Sequence, residues 1–307
     1  MNAAVLEAIK KSAAVPSMPQ VVSRFLQVME DPSFGYEDLV KVLSGDPGTV
    51  SEILRLVNSA LFGVQNKVVS LRQALTLLGP KRTRSLVLGR YLVDTLSEGS
   101  VSGLDMSYFW RRSLAASVVA SRFAERLLPR HRDETFIAAL LADIGVPILA
   151  EAMPESYEKI LLLYAPHGAR LTPQKEQDAV GVTHGEVSAM VLNHWRLPGT
   201  IVDAVNLQHS EAPGEGDVAT IARILNASDR IAKLLCEVTG AEHITTVCTE
   251  ATELVGLDMT TLVELLPTIE SDIEDLAEVL RIDVIPSSVY SLFAKAVQER
   301  LVVPTSP

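Results

Sequence analysis

The sequence is poor in cysteine and in aromatic side chains. Only two cysteines occur among 307 residues, Cys236 and Cys248, and aromatic residues make up 5% of the chain. The two cysteines are too far apart for a CxxC motif and too few for a disulfide framework in a chain of this size. Zinc fingers and thiol catalysis are therefore poorly supported, and both cysteines are expected to be small buried residues.

Long uncharged apolar runs are also lacking. A helix that spans a bilayer needs about 20 consecutive apolar residues, and no stretch of this chain approaches that length without a charge. The N-terminus carries Glu7, Lys10 and Lys11 among its apolar residues, so it has no apolar core of a signal peptide. We therefore expect a cytoplasmic protein that has no contact with a membrane.

Positive charge is scarce at the C-terminal end. Residues 1–235 hold 24 lysines and arginines against 25 acidic residues, whereas residues 236–307 hold 3 against 13. An acidic tail repels phosphate backbones, and the near-neutral remainder lacks the broad basic surface used in non-specific nucleic-acid binding. Specific DNA binding is not expected.

One basic stretch stands against this trend. Between residues 81 and 132, ten basic residues accompany only four acidic ones. They form either solvated helix faces or an anion-binding surface. The residues proposed for anion binding are Lys81, Arg82, Arg84 and Arg111.

The apolar residues that are present follow a helical period. Val50, Ile53, Leu54 and Val57 repeat at i, i+3, i+4 and i+7, which is typical of a helix with one buried face. No alternating pattern typical of a strand is convincing. Prolines and glycines such as Pro19, Pro47, Gly79 and Pro80 are placed where short helices begin or end. The sequence predicts an all-α fold.

Composition divides the chain into three helical segments. A Ser- and Gly-rich stretch near residues 96–104 and a second change of composition near residues 238–240 mark the boundaries. We predict an N-terminal helical subdomain over residues 1–97, a helical bundle over residues 98–238, and an acidic helical extension over residues 239–307.

A set of acidic and histidine residues is the sole candidate for a chemical site. Asp143 ends an apolar helix just before a glycine, where it is either a ligand or a hydrogen-bond partner at the helix end. His184, His209 and Asp229 lie on three successive helical segments, so four oxygen or nitrogen ligands converge if those helices pack around Asp143. No glycine-rich phosphate loop, GxSxG motif or HExxH motif occurs.

His184 also has a structural interpretation. It follows Thr183 in the sequence Thr-His-Gly-Glu, which has the form of a capping box in which Glu186 reaches back to the helix start. His194, beside a tryptophan, is interpreted as a packed or surface histidine and not as a ligand.

One motif resembles a known family. Residues 46–63 read DPGTVSEILRLVNSALFG, which is similar to the signature of the HDOD family, the HD-related output domains of bacteria. Residues 70–79, 140–145 and 194–198 resemble the same family in the same order, so the resemblance covers roughly residues 12–235. Within the motif, Asn58 is interpreted as a structural residue at a helix end.

The resemblance implies an all-helical HDOD-type fold distantly related to HD-type metal phosphohydrolases and to HD-GYP phosphodiesterases. The HD dyad of those enzymes corresponds to Ala142 and Asp143, so an alanine replaces the ligand histidine, and an earlier ligand histidine corresponds to Arg112. Asp143 and Asp229 match the two remaining core ligands. The other two candidates, His184 and His209, resemble extra histidines of the HD-GYP arrangement, with Gln208 where a paired histidine would stand.

An arginine at position 112 gives a physical reason to expect no metal. Its guanidinium, placed beside Asp143 and Asp229, would neutralise carboxylates that otherwise need a cation. We therefore predict an ion-pair cluster of Arg112 with these aspartates, no catalytic residues and no cofactor. If a metal binds at all, its ligands are expected to be Asp143, His184, His209 and Asp229.

Three functions remain open from the sequence. The leading one is a non-catalytic signalling or regulatory module that acts through protein partners or a small ligand, with a degenerate HD site. The first alternative is a sensor of a nucleotide, such as a cyclic dinucleotide. The second is a divergent metal-dependent phosphohydrolase.

Overall fold

The protein is all-α. The computed structural model describes residues 5, 7–9, 15, 17–59, 64–97, 101–169, 171–237, 239–280, 282–283 and 285–302, and no strand occurs among them. The helices are α1 Gln20–Glu30, α2 Tyr36–Leu43, α3 Pro47–Asn58, α4 Leu71–Ser97, α5 Met106–Leu127, α6 Arg132–Leu141, α7 Gly145–Ala152, α8 Pro154–Tyr164, α9 Pro173–Val180, α10 His184–His194, α11 Gly199–Leu207, α12 Asp217–Cys236, α13 Ala241–Val255, α14 Met259–Leu280 and α15 Ser287–Val302.

Helix ends follow the punctuation of the sequence. Asp46 caps α3 by accepting a hydrogen bond from the Thr49 backbone N–H at 3.2 Å, and Pro47 occupies the first helical position. Helix α4 is kinked at Gly79, whose φ of 73° lies in the left-handed region, and Pro80 opens its second half. These local signals confirm the predicted breaks.

Asn58, within the motif of residues 46–63, has a structural role. Asn58 Nδ2 donates to the Leu54 carbonyl at 2.7 Å and to the Val68 carbonyl at 2.8 Å, and Oδ1 accepts from the Val68 N–H at 2.8 Å. The side chain thus ties Val68, which precedes α4, to the end of α3, and the predicted structural role of Asn58 at a helix end is confirmed. Residues 60–63 of the motif lie outside the described residues.

Helix α5 is the central element of the fold. Most of its side chains are buried, on all of its faces, as expected for a helix surrounded by others. Helices α6, α12 and α14 pack against it. Since Arg112 lies on α5, the chain carries this arginine into the interior of the molecule.

The acidic C-terminal segment packs onto the rest of the chain. Helix α13 lies against α12, and α14 lies against both α5 and α3. One continuous cluster of apolar side chains includes residues of all three predicted segments. The segment boundaries at residues 97 and 238 stay a prediction, but the third segment shares its core with the other two.

A buried ion pair fastens this segment to the central helix. Arg122 Nε on α5 donates to Asp272 Oδ2 on α14 at 2.7 Å, and the Asp272 side chain is 0% exposed. Burial raises the pKa of Asp272, while Arg122 acts in the opposite direction. A second pair between the same helices, Arg126 and Glu264, is 3.7 Å long and exposed.

One described stretch, Pro129–Ala152, is long and apolar enough to cross a membrane by length and composition alone, with a mean hydropathy of 1.7. In the structure it consists of a short 3₁₀ turn followed by α6 and α7, and 89% of its most apolar window is buried inside the protein. A core helix of a folded domain has the same composition. The cytoplasmic location stays a prediction.

The two ion pairs give a test of how the acidic segment is held. We expect Asp272→Ala to lower the free energy of unfolding by about 3 kcal/mol, because it leaves the Arg122 guanidinium without its buried partner. Glu264→Ala, which removes an exposed partner on the same helix, should cost less than about 1 kcal/mol. Urea unfolding of both variants measures the difference, and equal losses would contradict the proposed role of the buried pair.

Candidate functional site

The predicted site residues converge on one cavity. Arg112 lies on α5, Asp143 in the turn between α6 and α7, His184 at the first position of α10, His209 just after α11, and Asp229 on α12. All five line a cavity of about 260 Å³. The helices thus pack in the way that the convergence of Asp143, His184, His209 and Asp229 required, and Arg112 lines the same cavity.

At the floor of the cavity, Arg112 binds Asp229 through two hydrogen bonds. Arg112 Nε donates to Asp229 Oδ1 and Nη2 donates to Oδ2, both at 2.8 Å. The guanidinium also lies over the Tyr164 ring, 4.5 Å from its centroid. This planar, two-point contact is specific to arginine, since a lysine ammonium cannot form the same fork. The predicted ion pair is thus confirmed for Asp229.

Asp143 has different direct partners. Its Oδ2 accepts a hydrogen bond from the Tyr164 hydroxyl at 3.2 Å, and its Oδ1 lies 3.4 Å from His184 Nε2. Arg112 acts on Asp143 through its charge, whereas its side-chain hydrogen bonds go to Asp229. In the predicted cluster, Arg112 therefore forms a hydrogen-bonded ion pair with Asp229 and a longer-range charge interaction with Asp143.

His184 is held by groups on both sides of its ring. Its Nδ1 lies 2.7 Å from Glu176 Oε2, and its Nε2 lies 2.9 Å from His209 Nε2. Glu176 is fully buried, accepts from the His184 backbone N–H, and accepts from the Tyr157 hydroxyl at 2.5 Å. The imidazole is therefore fixed in orientation by a buried carboxylate.

These contacts set the charges of the site. Burial alone would lower the pKa of His184, but the carboxylates of Glu176 and Asp143 raise it to about 10. Burial would raise the pKa of Asp143, but His184, Arg112 and His209 hold it well below its usual range. Similarly, Asp229 and other neighbours outweigh burial and raise the pKa of Arg112 well above its ordinary value. Burial raises the pKa of Asp229, while Arg112 acts in the opposite direction.

The backbone around the site is packed without space for larger residues. A Cβ added at Gly145 would meet the His184 carbonyl oxygen at 2.1 Å, and the Gly145 N–H donates to Ser188 Oγ at 2.8 Å. Gln208 is buried and donates to the Ala142 carbonyl at 3.1 Å. Both contacts join the Asp143 turn to its neighbouring helices, so Gln208 has a structural role here.

The donor set fits the metal centre of an HD-type hydrolase only in part. Asp143, His184 and His209 offer ligand atoms that all lie within 4.8 Å of one another. However, Asp229 has both oxygens engaged by Arg112, Ala142 offers no donor, and a protonated His184 has no free lone pair for a metal. The residues present therefore do not fit a four-ligand hydrolase centre.

The basic residues proposed for anion binding lie elsewhere. None of the four lines the cavity. Arg82 pairs with Asp133 at 2.5 Å, and Arg84 donates to the Arg196 carbonyl at 2.6 Å. Lys81 is exposed, and Arg111 is half-buried near Cys236. The four residues do not line this cavity together, and an anion site formed by them stays a prediction.

Three smaller predictions are settled by local structure. Thr183 and Glu186 form the capping box at the start of α10, so His184 is both a helix-start residue and a site residue. His194 is exposed. Cys248 is buried, as expected, whereas Cys236 is half-buried, so the expectation was wrong for that residue; both thiols are free.

The comparison with known sequences decides the family. The sequence model of the HDOD domain matches residues 15–211 of this chain. This chain belongs to the HDOD family. An uncharacterised protein of Treponema pallidum (strain Nichols) is 25% identical over 213 residues, which are 66% of this chain and 40% of that protein. The chain thus spans less than half the length of this curated relative.

Solved structures agree with the HDOD assignment at the level of the fold. An HDOD domain protein of unknown function from Geobacter sulfurreducens has a TM-score of 0.68 and 21% identity, covering 90% of this chain and 96% of that one. A protein of Shewanella amazonensis SB2B, provisionally named a phosphohydrolase, has a TM-score of 0.70 and 22% identity, covering 91% of this chain and 98% of that one. At these identities the likeness concerns the fold alone.

The HDOD match ends before the cavity is complete. Asp229, which binds Arg112, lies beyond residue 211, as do the parts of α12 and α13 that form one side of the cavity.

Other important residues were not predicted from the sequence. Glu176 lies in the polar helix PQKEQDAV, which has the composition of a solvated helix, and Tyr164 ends an ordinary amphipathic one. No spacing pattern in the sequence distinguishes either residue.

The close approach at Gly145 can be tested with a single methyl group. We expect Gly145→Ala to lower the free energy of unfolding by about 1 to 3 kcal/mol or more, because the added carbon overlaps the His184 backbone and one element has to shift. Gly240→Ala is the control, since nothing lies within 4 Å of a Cβ there. Thermal or urea unfolding compares the two, and a harmless Gly145→Ala would contradict the packing described.

The charge on His184 predicts how stability depends on pH. Because its pKa in the folded protein, about 10, lies above the ordinary 6.5, the stabilisation from the charged ring is fully present below pH 6.5 and is lost as the pH rises through about 10. Glu176→Gln should lower this pKa and flatten the pH dependence. Glu155→Gln, on an exposed part of α8, should change neither. Imidazole NMR titration measures the pKa, and a midpoint near 6.5 in the unmodified protein would contradict the assignment.

Proposed function

We propose that this HDOD chain is a non-catalytic signal-transduction module that acts by binding a protein partner or a small ligand. The observation that carries the proposal is the two-point contact of Arg112 with Asp229 at 2.8 Å. In an HD-type hydrolase the corresponding carboxylate would serve a metal. Here a side chain of the protein itself supplies the positive charge.

The chemistry of hydrolysis supports the same proposal. A metal-dependent phosphohydrolase uses its metal to lower the pKa of a bound water to about 7, which creates a nucleophile at neutral pH. The cations of this site, Arg112 and His184, are both engaged with carboxylates. Neither offers a lone pair that could accept a proton from water.

One observation favours a second candidate function. The ligand atoms of Asp143, His184 and His209 lie within 4.8 Å of one another, and the bond from His184 Nδ1 to Glu176 resembles the carboxylate–histidine pairs that support metal ligands. A metal that displaced the proton of His184 would make a three-ligand site. The second candidate function is therefore a metal-dependent phosphohydrolase. It is incompatible with the non-catalytic module because a metal ligand at position 184 must be a neutral histidine.

Metal analysis separates the two candidates. We expect protein purified without chelators to contain substoichiometric metal by elemental mass spectrometry, and to leave bis(p-nitrophenyl) phosphate intact when Mn²⁺ or Zn²⁺ is added. The double variant Arg112→His, Ala142→His restores two imidazoles where the family resemblance places them. It should gain metal, because it frees Asp229 and adds two neutral nitrogen donors.

A matched control isolates the role of position 112. The double variant Arg111→His, Ala142→His carries the same number of histidines, but residue 111 does not line the cavity, so it should not gain metal to the same extent. Circular dichroism verifies that both double variants fold. Stoichiometric metal in the unmodified protein, together with hydrolysis of the phosphodiester, would overturn the proposed function in favour of the hydrolase.

A further inference from the structure

The cavity above the Arg112 floor has a second half that the HDOD match does not include. Helix α12 contributes Asn226, Arg230 and Lys233 at spacings of four and three residues, so they form one stripe that faces the cavity. Helix α13 contributes Val247 and Glu250 from the opposite side. This upper half depends on the acidic extension, and without α13 the cavity would be an open groove.

The polar groups of the upper half suit an oxyanion. Arg230 Nη1 lies 3.4 Å from Glu250 Oε2, and Arg230 Nε donates to Asn226 Oδ1 at 2.8 Å. Lys233, one turn further along α12, donates to the Gly168 carbonyl at 2.8 Å and lies 3.5 Å from Glu237 Oε1, so Arg230 is the cation considered for the oxyanion. A carboxylate of the extension thus sits beside a guanidinium at the mouth of the cavity. Its side chain is 56% exposed, against 20% for Arg230, so the acidic partner is the one that solvent or a ligand can replace.

The remaining wall of the upper half is mainly apolar, although Glu237 and His243 also line the cavity. Four aliphatic side chains line it, namely Leu163, Leu171, Leu234 and Val247. A cavity of about 260 Å³ lies just below the range of roughly 300 to 1,000 Å³ that is usual for drug-sized ligands. The volume therefore suits a compact molecule, and its lining suits one with an apolar body and a single charged end.

We infer that the cavity binds a small organic anion, whose oxyanion replaces the Glu250 carboxylate at Arg230 and whose apolar body lies against the aliphatic wall formed by α8, α12 and α13. This inference rests on the proposed function, because it requires a cavity without a resident metal. Glu250 acts as an internal competitor for the ligand. Binding breaks the contact between α12 and Glu250, so occupancy of the cavity is transmitted to the acidic extension.

Phenyl phosphate and inorganic phosphate are suitable probes, and calorimetric titration in the presence of EDTA excludes binding through a metal. We expect both probes to bind at one site. Phenyl phosphate should bind about tenfold more tightly, because burial of its ring adds to the oxyanion contact. Glu250→Gln should tighten the binding of both probes by about two- to fivefold, which corresponds to the loss of an exposed ion pair. Arg230→Gln should abolish saturable binding.

Controls keep the inference falsifiable. Glu242→Gln removes an exposed acid from the same helix but not from the cavity lining, and it should change neither affinity. Val247→Trp fills the cavity and should weaken phenyl phosphate without removing a charge. If Val247→Trp does not fold, the Arg230 and Glu250 variants still test the inference.

Three results would each overturn the inference: no saturable binding to the Glu250→Gln protein, equal affinity for the two probes, or binding unaffected by Arg230→Gln. Metal found in the unmodified protein would instead overturn the proposed function, while binding that persists in EDTA would keep the cavity assignment.

Discussion

The contact between Arg112 and Asp229 joins the central helix α5 to α12, and the charges of the whole site depend on it. Taking a guanidinium and a carboxylate out of water costs several kcal/mol for each ion, and their attraction repays this only with good geometry and further partners. Here the geometry is a two-point fork, and the Tyr164 ring covers the face of the guanidinium. Removing either charge would leave the other buried without compensation, so the pair is a structural requirement as much as a feature of the site.

A second pair of charges follows from the first. With Asp229 neutralised by Arg112, the remaining carboxylate, Asp143, is balanced by His184, whose other face is held by Glu176. The imidazole therefore carries a proton that a metal ligand would have to lose. Arg112 and His184 lie on different helices and are linked through Asp143, because both lower the pKa of that carboxyl.

The acidic extension has a different role from that of a separate tail. Helix α14 is tied to α5 by the Arg122–Asp272 pair, and α13 closes one side of the cavity beside Arg230 and Lys233. Two acidic residues of this segment thus pair with arginines, Asp272 in the interior and Glu250 with an exposed side chain. The proposed ligand site is formed jointly by the HDOD portion and by residues beyond it, which offers a route from a bound molecule to the surface of the extension.

The sequence by itself determined the features that depend on near neighbours along the chain. The all-α class, the breaks at Pro47 and Gly79 and the capping box before His184 could all be predicted, because helix periodicity and capping each involve a few adjacent residues. From the sequence, Asp143 and His184 were expected to meet only if their helices pack against each other. Only the tertiary structure decided that Arg112 pairs with Asp229 directly and with Asp143 only through its charge.

The tertiary structure also decided the roles of Glu176 and of α13. A glutamate in a polar helix and an acidic amphipathic helix have the same local pattern whether they face solvent or the interior. Burial and electrostatic partnership come from elements distant in sequence, and they alter a pKa only when those elements meet. For that reason Arg112, Asp143, His184, His209 and Asp229 could be predicted from the sequence. Glu176, Tyr164 and the outer wall of the cavity could not.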